Sequence, residues 1–395
     1  MTTLRHIVMP VSVLPHHSIG GMQTVAWDLA RALVRAGVAV TALTAEIPGR
    51  PTAFEDDGVT IRALPGTSSR HYGSGWWRAT RRVFEQELIG SCDLLLSVSA
   101  GGFGLLRLRE RMRGVPFVMQ AHGTSMGEVL SKWRSHSVRA MATSARNVAW
   151  ILKDLMAYPR FDAIVAVGDR VAADLTAWPA RCVVDKDRVR VIRNGIDTGI
   201  FRPDGATGRR IRTELGWSEE FRVVISASRL HRQKGVAYGL EAFALLAKSR
   251  EDLRYLIVGE GPELQALKER AASLKIDDRV HFVGGVAREA MPAYLNAADV
   301  MMFTTTRIEG EPLNVLEALA VGLPAVVSRH LYRGGLPSDQ ILLAKPSDPT
   351  AVAAALNRAL ATPPIKESKL PRGYSAAAST EQYLALFKEL RERRA

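Results

Sequence analysis

Two α/β domains, each a doubly wound parallel sheet, are the fold class this sequence predicts. Three observations carry that expectation. The chain has 395 residues, about twice the length of an ordinary single domain. Short apolar runs rich in Val, Ile and Leu alternate with amphipathic helical stretches, and the alternation occurs twice. Between the two series, residues 194–205 gather Asn, Gly, Asp and Pro directly after a strand, which marks a boundary.

In the first series strands are expected at residues 6–9, 38–43, 59–64, 94–98, 116–120, 164–167 and 189–192. Each is short, as strands are. Helical periodicity fills 21–36, 76–89 and 105–112, and a long helix is expected within 125–157. The second series gives strands at 223–226, 255–258, 280–282, 300–303 and 325–327, with helices at 236–247, 262–274, 313–320 and 349–360. Three prolines then break the chain over 362–372. Beyond them Tyr383, Leu384, Phe387 and Leu390 recur at helical spacing. The expected organisation is a domain at 1–197, a second at 198–372 and a closing helix at 373–395.

Composition is that of a globular protein, 47% hydrophobic and 24% charged. No apolar run approaches the ~18 residues that span a bilayer, and the first residues lack the pattern of a signal peptide. Cys92 and Cys182 are the two cysteines, which suggests neither a disulfide framework nor a zinc site. A cytoplasmic location is the expectation. The net charge of +13 is uneven: residues 62–146 carry the whole basic excess of the first half. Such a patch attracts phosphates, nucleic acid or an anionic membrane.

Ligands of open parallel sheets bind beyond the carboxyl ends of the strands. After the first strand come Gly20 and Gly21, opening a helix, where backbone can approach an anion; an ordinary strand–helix turn reads the same way. After the strand at 223–226 come Arg229 and Lys234, a guanidinium fork and an ammonium suited to a diphosphate, or else a solvated basic loop. Gly259-Glu260-Gly261-Pro262 opens another helix. The richest segment follows residue 303: Glu309, Gly310, Glu311, Pro312, Leu313, Asn314 and, inside the helix, Glu317. A buried acid at 317 needs a partner. Glu309 and Glu311 also suit a helix N-terminus through its dipole alone.

Taken together, these segments resemble the retaining glycosyltransferases of family 4, which have the two-domain GT-B fold. The resemblance runs over almost the whole chain: Gly20-Gly21, His122-Gly123, Asn194 to Asp197 with Phe201 and Pro203, Arg229 with Lys234-Gly235, Gly259 to Pro262, and Glu309 and Glu317 with seven residues between them. It implies two Rossmann-like domains facing a cleft, with the C-terminal helix returning to the first. It implies a UDP- or GDP-sugar donor as substrate, with no cofactor and no metal. Arg229 and Lys234 would bind the diphosphate and neutralise the leaving group. Glu309 would meet the donor sugar, Glu317 the ribose, Gly21 the phosphate or acceptor, and His122 the transferring sugar. Gly20, Gly259, Gly310, Glu311, Pro312, Leu313 and Asn314 complete the expected donor site. Glu311 and Pro312 depart from the aromatic-glycine pair frequent in relatives, and Ser228 replaces the usual Gly before Arg229; the first departure bears on sugar choice.

The basic patch mixes Arg with Trp: Trp76, Trp77, Arg78, Arg81 and Arg82, then Lys132, Trp133 and Arg134. That mixture suits an anionic membrane surface on the inner face of the plasma membrane, where a lipid-linked glycan would be the acceptor; a solvated basic face with Trp in the core fits equally. The expected function is hexose transfer to a cell-surface polysaccharide precursor. The alternatives are a small soluble acceptor, a nucleic-acid- or membrane-binding protein without catalysis, and an inactive partner subunit. No nucleic-acid-binding motif accompanies the charge, so nucleic acid is not an expected partner.

Overall fold

The computed structural model describes residues 4–18, 20–69, 72–134, 145–331, 340–361 and 367–394. The chain divides into two compact units, residues 1–195 with 376–395, and residues 196–375.

The first unit is built on an eight-stranded sheet in the order β3-β4-β2-β1-β5-β6-β7-β8. Its strands are β1 His6–Pro10, β2 Ala39–Ala45, β3 Ala53–Asp56, β4 Val59–Leu64, β5 Leu94–Val98, β6 Phe117–Ala121, β7 Ala163–Ala166 and β8 Val189–Val191. All pairs are parallel except β3 with β4. Strands β5, β6 and β7 are buried along their whole length, as expected of strands covered on both faces. The strand order reverses between β1 and β5, so the loops after these two strands diverge there. Gly101 permits their close approach: a Cβ there would lie 2.2 Å from the Pro10 carbonyl oxygen.

The helix Gly21–Arg35 covers one face, and the C-terminal helix Ala376–Glu392 packs beside it. Tyr383, Leu386, Phe387 and Leu390 enter the same core as Ile7, Met9, Trp27 and Leu29. The sequence periodicity of the tail therefore marks a face that belongs to the first unit's core.

The second unit carries six parallel strands in the order β11-β10-β9-β12-β13-β14. They are β9 Arg222–Ala227, β10 Leu253–Val258, β11 Val280–Gly284, β12 Val300–Phe303, β13 Ala325–Ser328 and β14 Ile341–Ala344. Here the order reverses between β9 and β12. The loops after those strands hold Arg229, Lys234 and Glu309. Apolar clusters cover both faces of this sheet.

Local departures from the sequence expectation have physical reasons. The antiparallel β3 was not expected; it joins β4 through Asp57 and Gly58, both at positive φ (48° and 78°), the geometry of a tight hairpin. The helix expected at 105–112 is instead a 3-10 stretch, Ser99–Leu108, where Gly101, Gly102 and Gly104 disfavour an α-helix. Helix 76–89 is α only over Ser74–Val83 and continues as a π turn, Phe84–Leu88. Of the long helix expected within 125–157, the described residues show the helices Ser125–Arg134 and Ala145–Ala157, and residues 135–144 lie outside the description. Among the described residues no helix is long and apolar enough to cross a membrane.

Candidate active site

The loop after β9 is locked onto the loop after β12 by backbone and threonine contacts. Gly235 has φ 72°, and a Cβ there would lie 2.0 Å from the Thr304 carbonyl oxygen, so only glycine fits. Thr304 Oγ1 donates to Gly235 O at 2.8 Å, Thr305 Oγ1 to Gln233 O at 2.8 Å, and Thr306 N to Gln233 O at 2.9 Å. This lacing brings Lys234 to Glu309: Nζ and Oε1 are 2.8 Å apart, both half-buried. Lys234 Nζ also stands 5.4 Å from the centre of the Phe303 ring, a cation–π distance. Sequence reasoning passed over the threonines, whose run directly after a strand is the signal that could have found them.

Arg229, on the same loop, is exposed and pairs with no carboxylate among the described residues. Its backbone is held from below by the loop after β10. Leu230 N donates to Glu260 O at 2.8 Å, and a Cβ at Gly259 would lie 2.0 Å from Ser228 O. Gly259 thus supports the Arg229 loop by close backbone approach.

The helix after β12 runs Leu313–Ala320, with Pro312 as its cap residue at φ −76° and ψ 108°. Glu309, Gly310, Glu311, Pro312, Leu313 and Asn314 are all half-buried around its start. First-turn N–H groups such as those of Leu313 and Asn314 have no intrahelical acceptor, and the helix dipole favours an anion beside them. Asn314 Nδ2 donates to Ala227 O at 2.9 Å, tying the helix start to the end of β9. Glu317, 6% exposed, meets Arg288, whose Nη1 lies 2.5 Å from Glu317 Oε1. The guanidinium also stands 5.0 Å from the Phe201 ring centre. Arg288 comes from the segment after β11 and answers the need for a partner that the sequence raised but did not name.

In the first unit, Gly20 is extended at φ −174° and caps the helix Gly21–Arg35 with no side-chain hydrogen bond. The neighbouring His16 and His17 are pins: His16 Nε2 pairs with Asp56 at 2.7 Å, and His17 Nδ1 accepts from Leu14 N at 3.1 Å. His122, just past β6, is half-buried, and its Nε2 lies 3.0 Å from Gln120 Oε1. Burial lowers its pKa to about 4, so the ring is neutral near pH 7.

The Trp/Arg patch divides. Trp76 is 3% exposed and donates from Nε1 to Gly101 O at 2.9 Å. Trp77 donates to Ala100 O at 3.2 Å and stacks on Phe103. Both indoles therefore turn inward, and the expectation that they insert into a membrane is corrected: their N–H groups find partners in the 3-10 stretch. Arg78 and Arg82 are exposed and Arg81 is half-buried. The side chains of Lys132, Trp133 and Arg134 lie outside the described residues. An exposed apolar ridge lies on the helix Ala145–Ala157: Val148, Leu152 and Met156 at 55%, 58% and 60%. The sequence shows it as apolar residues at four-residue spacing.

Comparison with known proteins matches the chain in two consecutive stretches. The profile of the family described as Glycosyltransferase Family 4 matches residues 19–199, and that of Glycosyl transferases group 1 matches residues 208–378. The alpha-monoglucosyldiacylglycerol synthase of Streptococcus pneumoniae is 31% identical over 234 residues, 56% of this chain and 53% of that protein. The GDP-mannose-dependent alpha-(1-6)-phosphatidylinositol monomannoside mannosyltransferase of Mycolicibacterium smegmatis is 33% identical over 180 residues, 43% of this chain and 46% of the relative. These matches thus span about half the length of those two relatives. Among solved structures, sucrose-phosphate synthase from Thermosynechococcus elongatus superposes with a TM-score of 0.80 at 21% identity, covering 98% of this chain and 100% of that one. That likeness establishes the GT-B fold.

Proposed function

Since this chain belongs to the family 4 glycosyltransferases, we propose that it moves a hexose from a UDP- or GDP-sugar to a glycan or lipid-linked acceptor with retention of anomeric configuration. The observation that carries the reading is the Lys234–Glu309 pair at 2.8 Å, set where the strand order of its sheet reverses. A cation for phosphate and a carboxylate for sugar hydroxyls stand side by side at the expected place for a ligand.

In this reading Arg229 and Lys234 hold the diphosphate. The bond from the anomeric carbon to the phosphate oxygen breaks, and its electron pair leaves with the nucleoside diphosphate. The acceptor hydroxyl oxygen bonds to the same face of that carbon, and its proton passes to the departing phosphate oxygen. The two cations neutralise the charge as it builds. Glu309 orients the sugar, Glu317 holds the ribose, and His122 contacts the transferring sugar. No metal is required, since the cations fill that role.

A lipid-linked acceptor on an anionic membrane is favoured by the exposed ridge Val148, Leu152 and Met156 together with Arg78 and Arg82, and by relatives whose names carry lipid acceptors. A small soluble acceptor is the second reading, favoured by the inward turn of Trp76 and Trp77. Flotation with anionic and neutral vesicles separates them; absence of binding to both sinks the membrane reading. Thermal-shift screening against UDP, GDP, ADP and their sugars tests the donor, because a ligand of the folded state raises the midpoint. Lys234→Ala and Glu309→Gln each abolish turnover while the fold survives. Full activity in either variant would refute the site.

A further inference from the structure

Gln120 is the one polar side chain of β6, and it is 1% exposed among Phe117, Val118, Met119 and Ala121. Both ends of its amide are used. Oε1 lies 3.0 Å from His122 Nε2, and Nε2 donates to the Tyr383 hydroxyl at 2.8 Å. A carboxamide oxygen carries no proton, so the first bond requires the proton on His122 Nε2. The lone pair of the imidazole is then on Nδ1.

In this orientation the amide donates and the Tyr383 hydroxyl accepts. Tyr383 is 2% exposed on the C-terminal helix, with its ring 5.7 Å from that of Phe387. Burial pushes the phenol pKa up, so the hydroxyl stays neutral through the ordinary working range. A leucine at position 120 would suit an apolar strand as well. A buried amide satisfied at both ends fixes the direction of its partners.

We infer that Gln120 and Tyr383 are positioning residues that hold His122 as the Nε2-protonated imidazole, so that Nδ1 accepts a hydrogen bond from a sugar hydroxyl. This rests on the contact between His122 and the transferring sugar given under Proposed function. The C-terminal helix thereby contributes to catalysis through a residue it does not itself carry. The charged groups near this relay are Asp28, from the helix Gly21–Arg35, and Arg193, past β8; they line the same small cavity as Gln120 and Tyr383. Arg193 pairs with Asp169 at 2.7 Å.

The test is nitrogen NMR of the full chain labelled with 15N-histidine, alongside nucleotide release from UDP-glucose and GDP-mannose. In the unsubstituted protein His122 gives the Nε2–H tautomer from pH 6 to 8. Tyr383→Phe gives a mixture of tautomers and a fall in kcat of about tenfold with KM nearly unchanged. Gln120→Glu places a carboxylate against the ring and raises its pKa by about two units, adding an acid limb to the pH–rate profile. An Nδ1–H tautomer in the unsubstituted protein, or unchanged His122 signals in both variants, overturns the inference. His122→Ala with full turnover overturns instead the placement of His122 at the sugar, and the two failures are read independently.

Discussion

Replacing Arg288 by Met isolates the acid that the sequence left unpaired. Glu317 is 6% exposed, and its Oε1 lies 2.5 Å from Arg288 Nη1. Met approximates the aliphatic stem of Arg while removing the charge, and with it the cation–π contact to Phe201. A buried ion pair broken on one side leaves an uncompensated charge, at a cost of about 3–5 kcal/mol. Glu317 has a further polar interaction, so about 3 kcal/mol, the low end, is expected for Arg288→Met. Glu317→Gln removes the charge but keeps the shape and costs about 1–2 kcal/mol. In the double variant neither charge remains, so the loss is less than the sum by about 2 kcal/mol. Urea unfolding of the full chain, followed by the transition of residues 196–375, measures all three. Nucleotide binding by thermal shift should weaken in step, since the ribose would meet a displaced carboxylate. Additive losses, or a loss below about 1 kcal/mol in Arg288→Met, would refute the assignment of Arg288 as the partner that lets Glu317 sit inside the helix.

Three other outcomes follow from the same structure. Gly235→Ala forces a side chain into a left-handed position and within 2.0 Å of the Thr304 carbonyl; stability falls by at least about 1–2 kcal/mol, and turnover falls further as Lys234 moves from Glu309, whereas unchanged kcat would show the loop is not shaped by this glycine. Excess EDTA leaves turnover intact, because Arg229 and Lys234 supply the charge; abolition restored by Mg²⁺ would reverse that proposal. His122 has a folded pKa of about 4 against an ordinary 6.5. Below 6.5 the unfolded chain therefore takes up a proton that the folded one refuses, and stability drops as pH falls from 6.5 to 4, by at most about 3 kcal/mol. His122→Ala flattens that slope in acid denaturation, and an equally steep slope would locate the cause elsewhere.

The parallel strands were legible because strands covered on both faces leave unbroken apolar runs: residues 94–98 and 300–303 are read from sequence with the same bounds as in the structure. β14 escaped because it is a short edge strand, Ile341–Ala344, with two half-buried positions. Helix Gly205–Glu214 escaped for the opposite reason, since its buried residues are only Gly208 and Ile211. In the site, residue types with a chemical reason to be there could be named, but pairings across more than a few residues could not. Lys234 with Glu309 spans 75 positions, Gln120 with Tyr383 spans 263. Trp76 and Trp77 stayed between two readings because a helix wheel tells which residues share a face but not which way that face turns. Arg288 was invisible, one arginine among many, until a buried acid pointed at it.

The C-terminal helix also sets an order of events in time. Residues 196–375 begin and end side by side, with Ile196 N donating to Tyr374 O at 2.8 Å, so that unit has its whole sequence once residue 375 is made. The first unit was begun earlier yet lacks Tyr383, Phe387 and Leu390 from its core until they too leave the ribosome. The later-encoded unit can therefore close first, while the earlier one waits, its apolar groove beside the helix Gly21–Arg35 uncovered through the synthesis of some 180 residues. While the chain is being made, the first unit is therefore the one most in need of protection.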